Sequence, residues 1–246
     1  MSKTTTTSPA DNPLFYANPV PLDREKHREL KLGSGEPDYG YARGAHFIPA
    51  LIDEFSAASR EMPILFVPGA KGPTAVFMVG LETGRSRLVK ADGSWARPYV
   101  PAYLRRYPFI LGEVEGQDPL VMIDEENSVL SLTEGEALFG EDGEPSAALN
   151  NAIGFTNEFF AAGKRTEAFI ELLTSLDLFR QITIETRAAG AEVQTIHGLL
   201  AVDEGKLYEL SDADFLKLRD ERVLSPIFAH FFSLTQIDRL RDEVQA

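Results

Sequence analysis

The sequence predicts an α+β fold, with a mostly antiparallel sheet of about five strands in the N-terminal half and a helix-rich C-terminal half that carries an added β-hairpin. The first half contains short apolar runs bounded by proline and glycine, which is typical of strands. After Pro145, apolar residues recur at helical spacing. The connections between the predicted strands are too short for parallel crossovers, which favours antiparallel pairing.

The chain begins with a tail and continues as one folded region. Residues 1–12 are rich in threonine and predict a disordered tail. Residues 13–246 predict a single α+β unit with two lobes, β-rich over 13–135 and helix-rich over 145–246. Residues 23–32 fit either a short helix or an edge strand. The 246 residues can bury a stable core without disulfides.

The elements of the N-terminal lobe follow from local patterns. Residues 49–60 place Leu51, Ile52, Phe55 and Ala58 on one helical face. Apolar or β-branched runs predict the strands Pro63–Val67, Thr74–Val79, Arg85–Lys90, Pro108–Gly112 and Leu120–Asp124.

Helices and one hairpin account for the C-terminal lobe. Helical spacing predicts Ser146–Ala162, Arg165–Leu176, Asp212–Glu221, Pro226–Leu234 and Thr235–Val244. The acidic start Ser211–Asp214 supports the third of these helices. Two β-branched segments, Phe179–Thr186 and Glu192–Val202, flank Ala188–Gly190 and predict a hairpin.

Charge and composition exclude several functions. The net charge is −14, so a nucleic-acid backbone or an anionic membrane surface would be repelled. The chain contains no cysteine, which removes disulfides, thiolate metal sites and cysteine nucleophiles. It has no apolar stretch long enough to span a bilayer and no secretory signal, so we expect a cytoplasmic, soluble protein. Glycine-rich phosphate loops are missing, and we predict no cofactor.

The most unusual segment is Trp95–Phe109, which holds the only tryptophan, three of the seven tyrosines and three arginines. The candidate ligand-binding residues in it are Trp95, Arg97, Tyr99, Tyr103, Arg105, Arg106 and Tyr107. Guanidinium groups beside aromatic faces can bind a small anionic or aromatic ligand. The alternative is structural: Pro98 and Pro101 open a short helix with inward tyrosines, and the arginines pair with Glu113 or Glu115.

Histidines and carboxylates form no recognisable catalytic or metal motif. The four histidines, His27, His46, His197 and His230, are not paired at helical spacing, and we predict no metal. A dispersed site of two histidines and a carboxylate stays open as the basis of an enzyme. Asp124, at a strand end, suits a general base or a hard-cation ligand, and otherwise belongs to a solvated acidic loop.

A set of short motifs runs along nearly the whole chain. They are Pro21-Leu22 with His27-Arg28, Glu54-Phe55 before Met62-Pro-Ile-Leu-Phe66, Tyr99-Val-Pro-Ala-Tyr103 with Arg106-Tyr-Pro-Phe109, Ala137-Leu-Phe139 before Asp142-Gly-Glu-Pro145, Arg165-Thr-Glu167, Asp203-Glu204 with Leu207 and Leu210, and Ala229-His230 with Ser233-Leu234. From about Tyr16 to Leu240, these motifs resemble the SapC family, a bacterial family of about this length.

The resemblance implies a role but no catalytic residues. The family takes its name from a locus concerned with a bacterial surface layer, and relatives are often described as transporter components. We therefore expect a non-enzymatic binding or accessory protein linked to surface-layer or cell-envelope export. Its partner would be an unknown protein or a small anionic or aromatic ligand. An enzyme with a dispersed His/carboxylate site and a surface-layer component exported without a signal peptide are the alternatives.

Overall fold

The computed structural model describes residues 12–33, 35–112, 119–127, 129–187 and 193–242. Its strands are β1 (Pro19–Pro21), β2 (Lys31–Leu32), β3 (Phe47–Pro49), β4 (Ile64–Val67), β5 (Thr74–Met78), β6 (Phe109–Gly112), β7 (Leu120–Asp124), β8 (Leu130–Ser131), β9 (Glu136–Ala137), β10 (Phe179–Arg187) and β11 (Val193–Val202). Its helices are α1 (Phe55–Ala58), α2 (Ala102–Arg105), α3 (Ala147–Ser175), α4 (Glu204–Tyr208), α5 (Asp212–Asp220), α6 (Leu224–Ser233) and α7 (Gln236–Asp242). The predicted α+β class is confirmed. Residues 1–11 of the predicted tail lie outside the described residues.

The described chain divides into two compact units, each assembled from separated segments. The first unit contains the residues up to Tyr41 together with Asp92–Ser94 and Arg106–Phe160. The second unit contains Ala42–Ala91, Trp95–Arg105 and the residues from Ala161 onwards. Helix α3 contributes residues to both units.

Two small antiparallel sheets build the first unit. One has the strand order β1-β7-β6 and the other β8-β2-β9. The predicted pairing of β6 with β7 is confirmed, with Phe109 opposite Ile123. These two residues form a buried core with Leu138, Phe139 and Leu149. Residues 23–32, which fit either a helix or a strand, form turns that lead into the two-residue β2.

A five-stranded antiparallel sheet, in the order β10-β11-β4-β5-β3, forms the second unit. The predicted hairpin of β4 and β5 is confirmed, as is that of β10 and β11, whose predicted turn at 188–190 lies outside the described residues. The membership of this sheet differs from the prediction. It recruits the C-terminal hairpin through the pairing of Leu200 with Phe66, whereas β6 and β7 join β1 elsewhere. Sequence patterns predict where strands lie, but they do not indicate which distant strands pair with one another.

The predicted strand Arg85–Lys90 is wrong. Its backbone N–H groups bond to separate partners, since Ser86 donates to the carbonyl of Arg43 and Arg87 donates to that of Val79. A β-ladder requires successive donors to face one neighbouring strand. The segment therefore makes only isolated bridges.

The predicted helices Ser146–Ala162 and Arg165–Leu176 are a single helix, α3. Glycine inside a helix costs about 1 kcal/mol relative to alanine, so Gly163 weakens the helix without ending it. Burial of Phe169 and Leu173 beyond the glycine compensates for this cost. In the described ranges no helix, the 29-residue α3 included, is long and apolar enough to cross a bilayer.

Short capped helices complete the second unit. Ser211 begins α5 as predicted, since its side chain accepts a hydrogen bond from the backbone N–H of Asp214. Helix α4 was not predicted; the side chain of Asp203 caps it by accepting from the N–H of Lys206. Helices α6 and α7 lie within two residues of their predicted bounds, apart from residues 243 and 244, which fall outside the described residues.

The core of the second unit is centred on Phe66 in β4. Its ring centroid lies 6.5 Å from that of Phe55, 6.4 Å from that of Phe169 and 4.9 Å from that of Phe179. The His230 ring packs 5.4 Å from it. Four separate chain segments thus meet around one aromatic side chain, which sets their mutual positions.

Two polar side chains anchor α6 on the sheet. His230 is fully buried; its Nε2 accepts from the N–H of Val202 at 3.1 Å, and its Nδ1 donates to the carbonyl of Ile64 at 2.8 Å. Ser233 Oγ accepts from the N–H of the same Ile64 at 2.9 Å. Because one ring nitrogen must accept and the other must donate, the imidazole is neutral. Burial lowers the pKa of His230 to about 4.

This buried histidine makes stability depend on pH. The unfolded chain binds a proton at His230 near pH 6.5, whereas the folded chain binds it only near pH 4. The free energy of unfolding therefore falls as the pH decreases between these values, by at most about 1.4 kcal/mol per pH unit from this group. We expect His230→Gln to lose this part of the slope in urea unfolding measured from pH 7 to pH 4.5. His197→Gln, at an exposed histidine, should keep it. Equal slopes in wild type and His230→Gln would contradict the neutral buried state.

Candidate functional site

The segment 95–105 folds against itself in the second unit. The indole N–H of Trp95 donates to the carbonyl of Tyr99 at 2.8 Å. Beyond Pro98 and Pro101 the chain forms α2, where Tyr103 is buried. This is the arrangement expected from the structural alternative, a short helix after two prolines with an inward tyrosine.

A buried carboxylate, that of Glu54, connects this segment to the residues that directly precede α1. Its Oε1 accepts from the hydroxyl of Tyr99 at 2.8 Å and from the N–H of Ala102 at 2.6 Å. Its Oε2 accepts from the N–H of Leu51 at 3.1 Å. Burial raises the pKa of Glu54, and the three donors act in the opposite direction. The side chain thus satisfies the start of α2, where backbone N–H groups lack helical partners.

A second tie in the same unit connects α3 to the residues before Glu54. The hydroxyl of Thr166 accepts from the N–H of Ile52 at 2.9 Å, and Arg165 pairs with the carboxylate of Asp53. Ile52 and Asp53 directly precede the motif Glu54-Phe55, and they contact residues of the motif Arg165-Thr-Glu167 that are 112 or more positions away in the sequence. This packing explains Arg165 and Thr166 of that motif.

Within the second unit, only two of the candidate ligand-binding residues present appreciable surface. Arg105 is exposed and Tyr99 is half-buried, with the guanidinium carbon 5.8 Å from the ring centroid. Arg105 Nε donates to the carbonyl of Val100 at 3.1 Å. Trp95 and Arg97 are buried, as Tyr103 is.

The remaining two candidates, Arg106 and Tyr107, belong to the first unit and are also buried. The guanidinium carbon of Arg106 lies 4.0 Å from the ring centroid of Phe159 and 5.7 Å from that of Tyr16. Tyr107 stacks on Tyr41 at 4.3 Å. Burial raises the pKa of Tyr107. The alternative partners Glu113 and Glu115 lie outside the described residues.

Asp124 is neither a solvated loop residue nor an open base. It is fully buried, and its two carboxylate oxygens accept from the backbone N–H groups of Ala17 and Asn18 and from the hydroxyl of Tyr107, at 2.8–3.0 Å. A third backbone N–H, that of Glu126, lies 3.3 Å away. These donors occupy the lone pairs that a proton or a cation would need, so the group fixes the chain around β7.

The four histidines do not assemble a site. In the first unit, His27 Nδ1 accepts from the N–H of Asp23 at 2.9 Å, so Nε2 donates to Glu125 at 2.9 Å. Lys26 and then His27 lower the pKa of Glu125. In the second unit, His46 is half-buried against Phe47, and its burial lowers its pKa. Throughout the described ranges, no three metal-binding side chains are placed to hold an ion.

Two exposed aromatic side chains on α6 were not predicted from the sequence, and we call them the α6 face. Phe232 is 69% exposed and Phe228 37% exposed, and they lie one turn apart on the helix. The segment 227–234 is so apolar that its composition predicts burial on all sides of the helix. The available signal was the position of His230 and Ser233, since buried polar groups mark the inner side of a helix.

Substitution of two adjacent arginines, one buried and one exposed, tests which of them contributes to the stability of the fold. Arg106→Ala removes a buried side chain that packs on Phe159, and should lower the free energy of unfolding by about 1–3 kcal/mol. Arg105→Ala, at the exposed neighbour, should change it by less than about 0.5 kcal/mol. Thermal unfolding of both variants by circular dichroism measures the difference. Equal losses would show that burial does not distinguish these two positions.

Comparisons with known proteins identify a family. The family model SapC, described by that name, matches residues 22–240, which is nearly the whole chain. No curated protein and no solved structure matches the chain. The matched range includes the buried carboxylates Glu54 and Asp124 and all of α6. The chain therefore belongs to the SapC family.

Proposed function

We propose that this SapC-family chain is a cytoplasmic, non-enzymatic binding protein that acts as an accessory protein in surface-layer or cell-envelope export. The observation that carries the proposal is the α6 face. The link to export and the cytoplasmic location rest on family membership and on the sequence. The partner proposed for the α6 face is another protein.

Exposed aromatic pairs favour protein recognition for an energetic reason. Covering a phenylalanine ring removes a large apolar area from water, at about 25 cal/mol per Å². Aromatic side chains are correspondingly enriched in the cores of protein interfaces. Phe228 and Phe232 present two such rings on one side of α6.

The anchoring of α6 supports the same proposal. Binding is weakened when side chains or segments must be ordered on association. His230 donates to the carbonyl of Ile64 and Ser233 accepts from its N–H, and these two hydrogen bonds hold α6 at a fixed rotation on the sheet. The α6 face is therefore presented in one orientation before any partner arrives.

A second candidate function is the binding of a small anionic or aromatic ligand at Arg105 and Tyr99. It is favoured by the exposure of Arg105 beside the half-buried ring of Tyr99. Both guanidinium forks and ring faces suit such ligands. Trp95, Arg97 and Tyr103, which are buried in the same unit, would support this pair from the interior.

We expect Phe228→Ser combined with Phe232→Ser to abolish partner binding without loss of folding. Phe232 is 69% exposed, so its removal should change the free energy of unfolding little, whereas Phe228 is 37% exposed and packs 6.1 Å from Phe231. We therefore expect the double variant to lose about 1–2 kcal/mol and to stay folded, which circular dichroism checks. The measurement compares proteins recovered with tagged wild type and tagged variant from the native cell by quantitative mass spectrometry. At least one protein should be recovered stoichiometrically with wild type and lost with the variant.

The matched control is Leu132→Ser, at a residue of the first unit that is 66% exposed. It removes a comparable apolar side chain elsewhere and should leave recovery unchanged. If no protein depends on the phenylalanine pair, or the control loses the same protein, the proposal fails. Loss of that protein with Arg105→Ala but not with the phenylalanine variant would also contradict recognition through the α6 face.

A further inference from the structure

We propose that the outer edge of β10 pairs with β10 of a second copy of this chain, antiparallel and about a two-fold axis at Thr183. The interaction surface is the backbone of a strand, and the proposed function at the α6 face does not depend on it. Three features of β10 support the pairing. They are its open edge, the direction of its backbone groups and the side chains that would meet.

Strand β10 forms a long, open edge of the five-stranded sheet. It has nine residues without proline or glycine, and β11 is its one strand neighbour within the described part of the chain. The opposite edge strand, β3, has three residues and ends in Pro49. Short length and proline block edge strands, because open backbone groups invite pairing with another chain. The edge at β3 is blocked in this way and the edge at β10 is not.

The backbone groups of Phe179 and Glu185 face the outer side of β10. Val202 lies opposite Phe179, and its N–H donates to His230 and not to β10, so this pair exchanges no hydrogen bonds across the hairpin. Further along, Arg241 Nη2 donates to the carbonyl of Glu185 at 3.0 Å. Opposite residues in an antiparallel pair alternate between bonded and non-bonded. Both observations therefore assign the outward groups to the odd-numbered residues of β10.

The outward direction continues through the middle of β10. Between Ile182 and Ile184 the register of the hairpin shifts, and the extra residue belongs to β11. There Gly198 adopts φ +76°, the left-handed conformation that suits glycine in a bulge. Strand β10 itself keeps its alternation, so the N–H and C=O groups of Gln181 and Thr183 also face the edge where the described sheet has no strand.

The side chains of β10 are complementary to those of a second β10. In a two-fold pair centred on Thr183, Thr183 lies opposite its own copy, Ile182 opposite Ile184, and Gln181 opposite Glu185. Apolar residues thus meet, threonines meet, and a carboxamide can donate to a carboxylate. No like charges face each other in this stretch. Because Thr183 faces outward, its backbone exchanges hydrogen bonds with its copy.

Neighbouring registers lose this complementarity. Moving the axis to Ile182 places Glu185 opposite Phe179 and Arg180 opposite Ile184, so each charge meets an apolar side chain. Moving it to Ile184 leaves Ile182 without an apolar partner. The axis at Thr183 is therefore the one that the sequence of β10 favours.

The contact of Arg241 with this edge is compatible with the pairing. Its Nη1 pairs with Asp238 while its Nη2 donates to the carbonyl of Glu185. A carbonyl oxygen has two lone pairs, so that of Glu185 can accept a second hydrogen bond. The N–H of Gln181 in the second copy supplies this bond in the register centred on Thr183.

Sedimentation velocity of the full chain, at about 1 to 100 μM protein, tests the pairing. Wild type should form a dimer whose fraction rises with concentration. Thr183→Lys places two ammonium groups side by side at the axis and should weaken the dimer by about tenfold or more. The matched control is Thr195→Lys, the same substitution at an exposed threonine of the inner strand β11. It should dimerise as wild type does.

Two substitutions at Gln181 test the register. Gln181→Glu places like charges opposite each other at Glu185 and should weaken the dimer severalfold, whereas Gln181→Lys creates opposite charges there and should strengthen it. Both variants are measured by the same sedimentation experiment. Equal dimerisation of the two variants would contradict the pairing of Gln181 with Glu185 and so the axis at Thr183.

Hydrogen exchange of wild type gives a readout that needs no variant. The amide protons of Gln181 and Thr183 should be protected at about 100 μM protein and exchange faster at about 1 μM. Protection that does not change with concentration overturns the inference, as does a wild type that stays monomeric. A dimer that Phe232→Ser abolishes and Thr183→Lys leaves intact would form through the α6 face, and the pairing of β10 would be wrong.

Discussion

The hydrogen bonds of His230 and Ser233 fix the rotation of α6 on the sheet of the second unit, and so determine which side chains of α6 face solvent. They satisfy the N–H and the carbonyl of Ile64 and the N–H of Val202, so α6 cannot rotate without leaving buried polar groups unpaired. Phe228 and Phe232 each lie two residues from His230, a rotation of about 200° around the helix. A histidine that faces the core therefore directs both rings to solvent.

Most of the aromatic segment 95–105 is built into the interior of the second unit, as the structural alternative predicts. In the second unit, Glu54 collects donors from Leu51, Tyr99 and Ala102 and so builds the segment into the interior. A buried carboxylate is tolerated only with such partners. Concentration of tyrosine and arginine here reflects the packing of an irregular chain, whose polar groups must be satisfied by side chains.

Sequence patterns predicted the elements that depend on local periodicity. The hairpins β4–β5 and β10–β11 and the capped helix α5 were predicted because alternation and capping are local signals. The joining of β11 to β4 and the donors around Asp124 depend on contacts between distant residues, which one sequence does not report. The α6 face was missed for a related reason, since hydrophobicity alone does not reveal which side of a helix is anchored.

A single introduced thiol tests most directly whether α6 is covered in the cell. The chain has no cysteine, and Ser225 is exposed on the same side of α6 as Phe232. The rate of alkylation of Ser225→Cys by N-ethylmaleimide is measured in purified protein and in intact native cells, each relative to Leu132→Cys. We predict that the relative rate falls in cells, because a bound partner shields the helix. An unchanged relative rate would contradict recognition through α6.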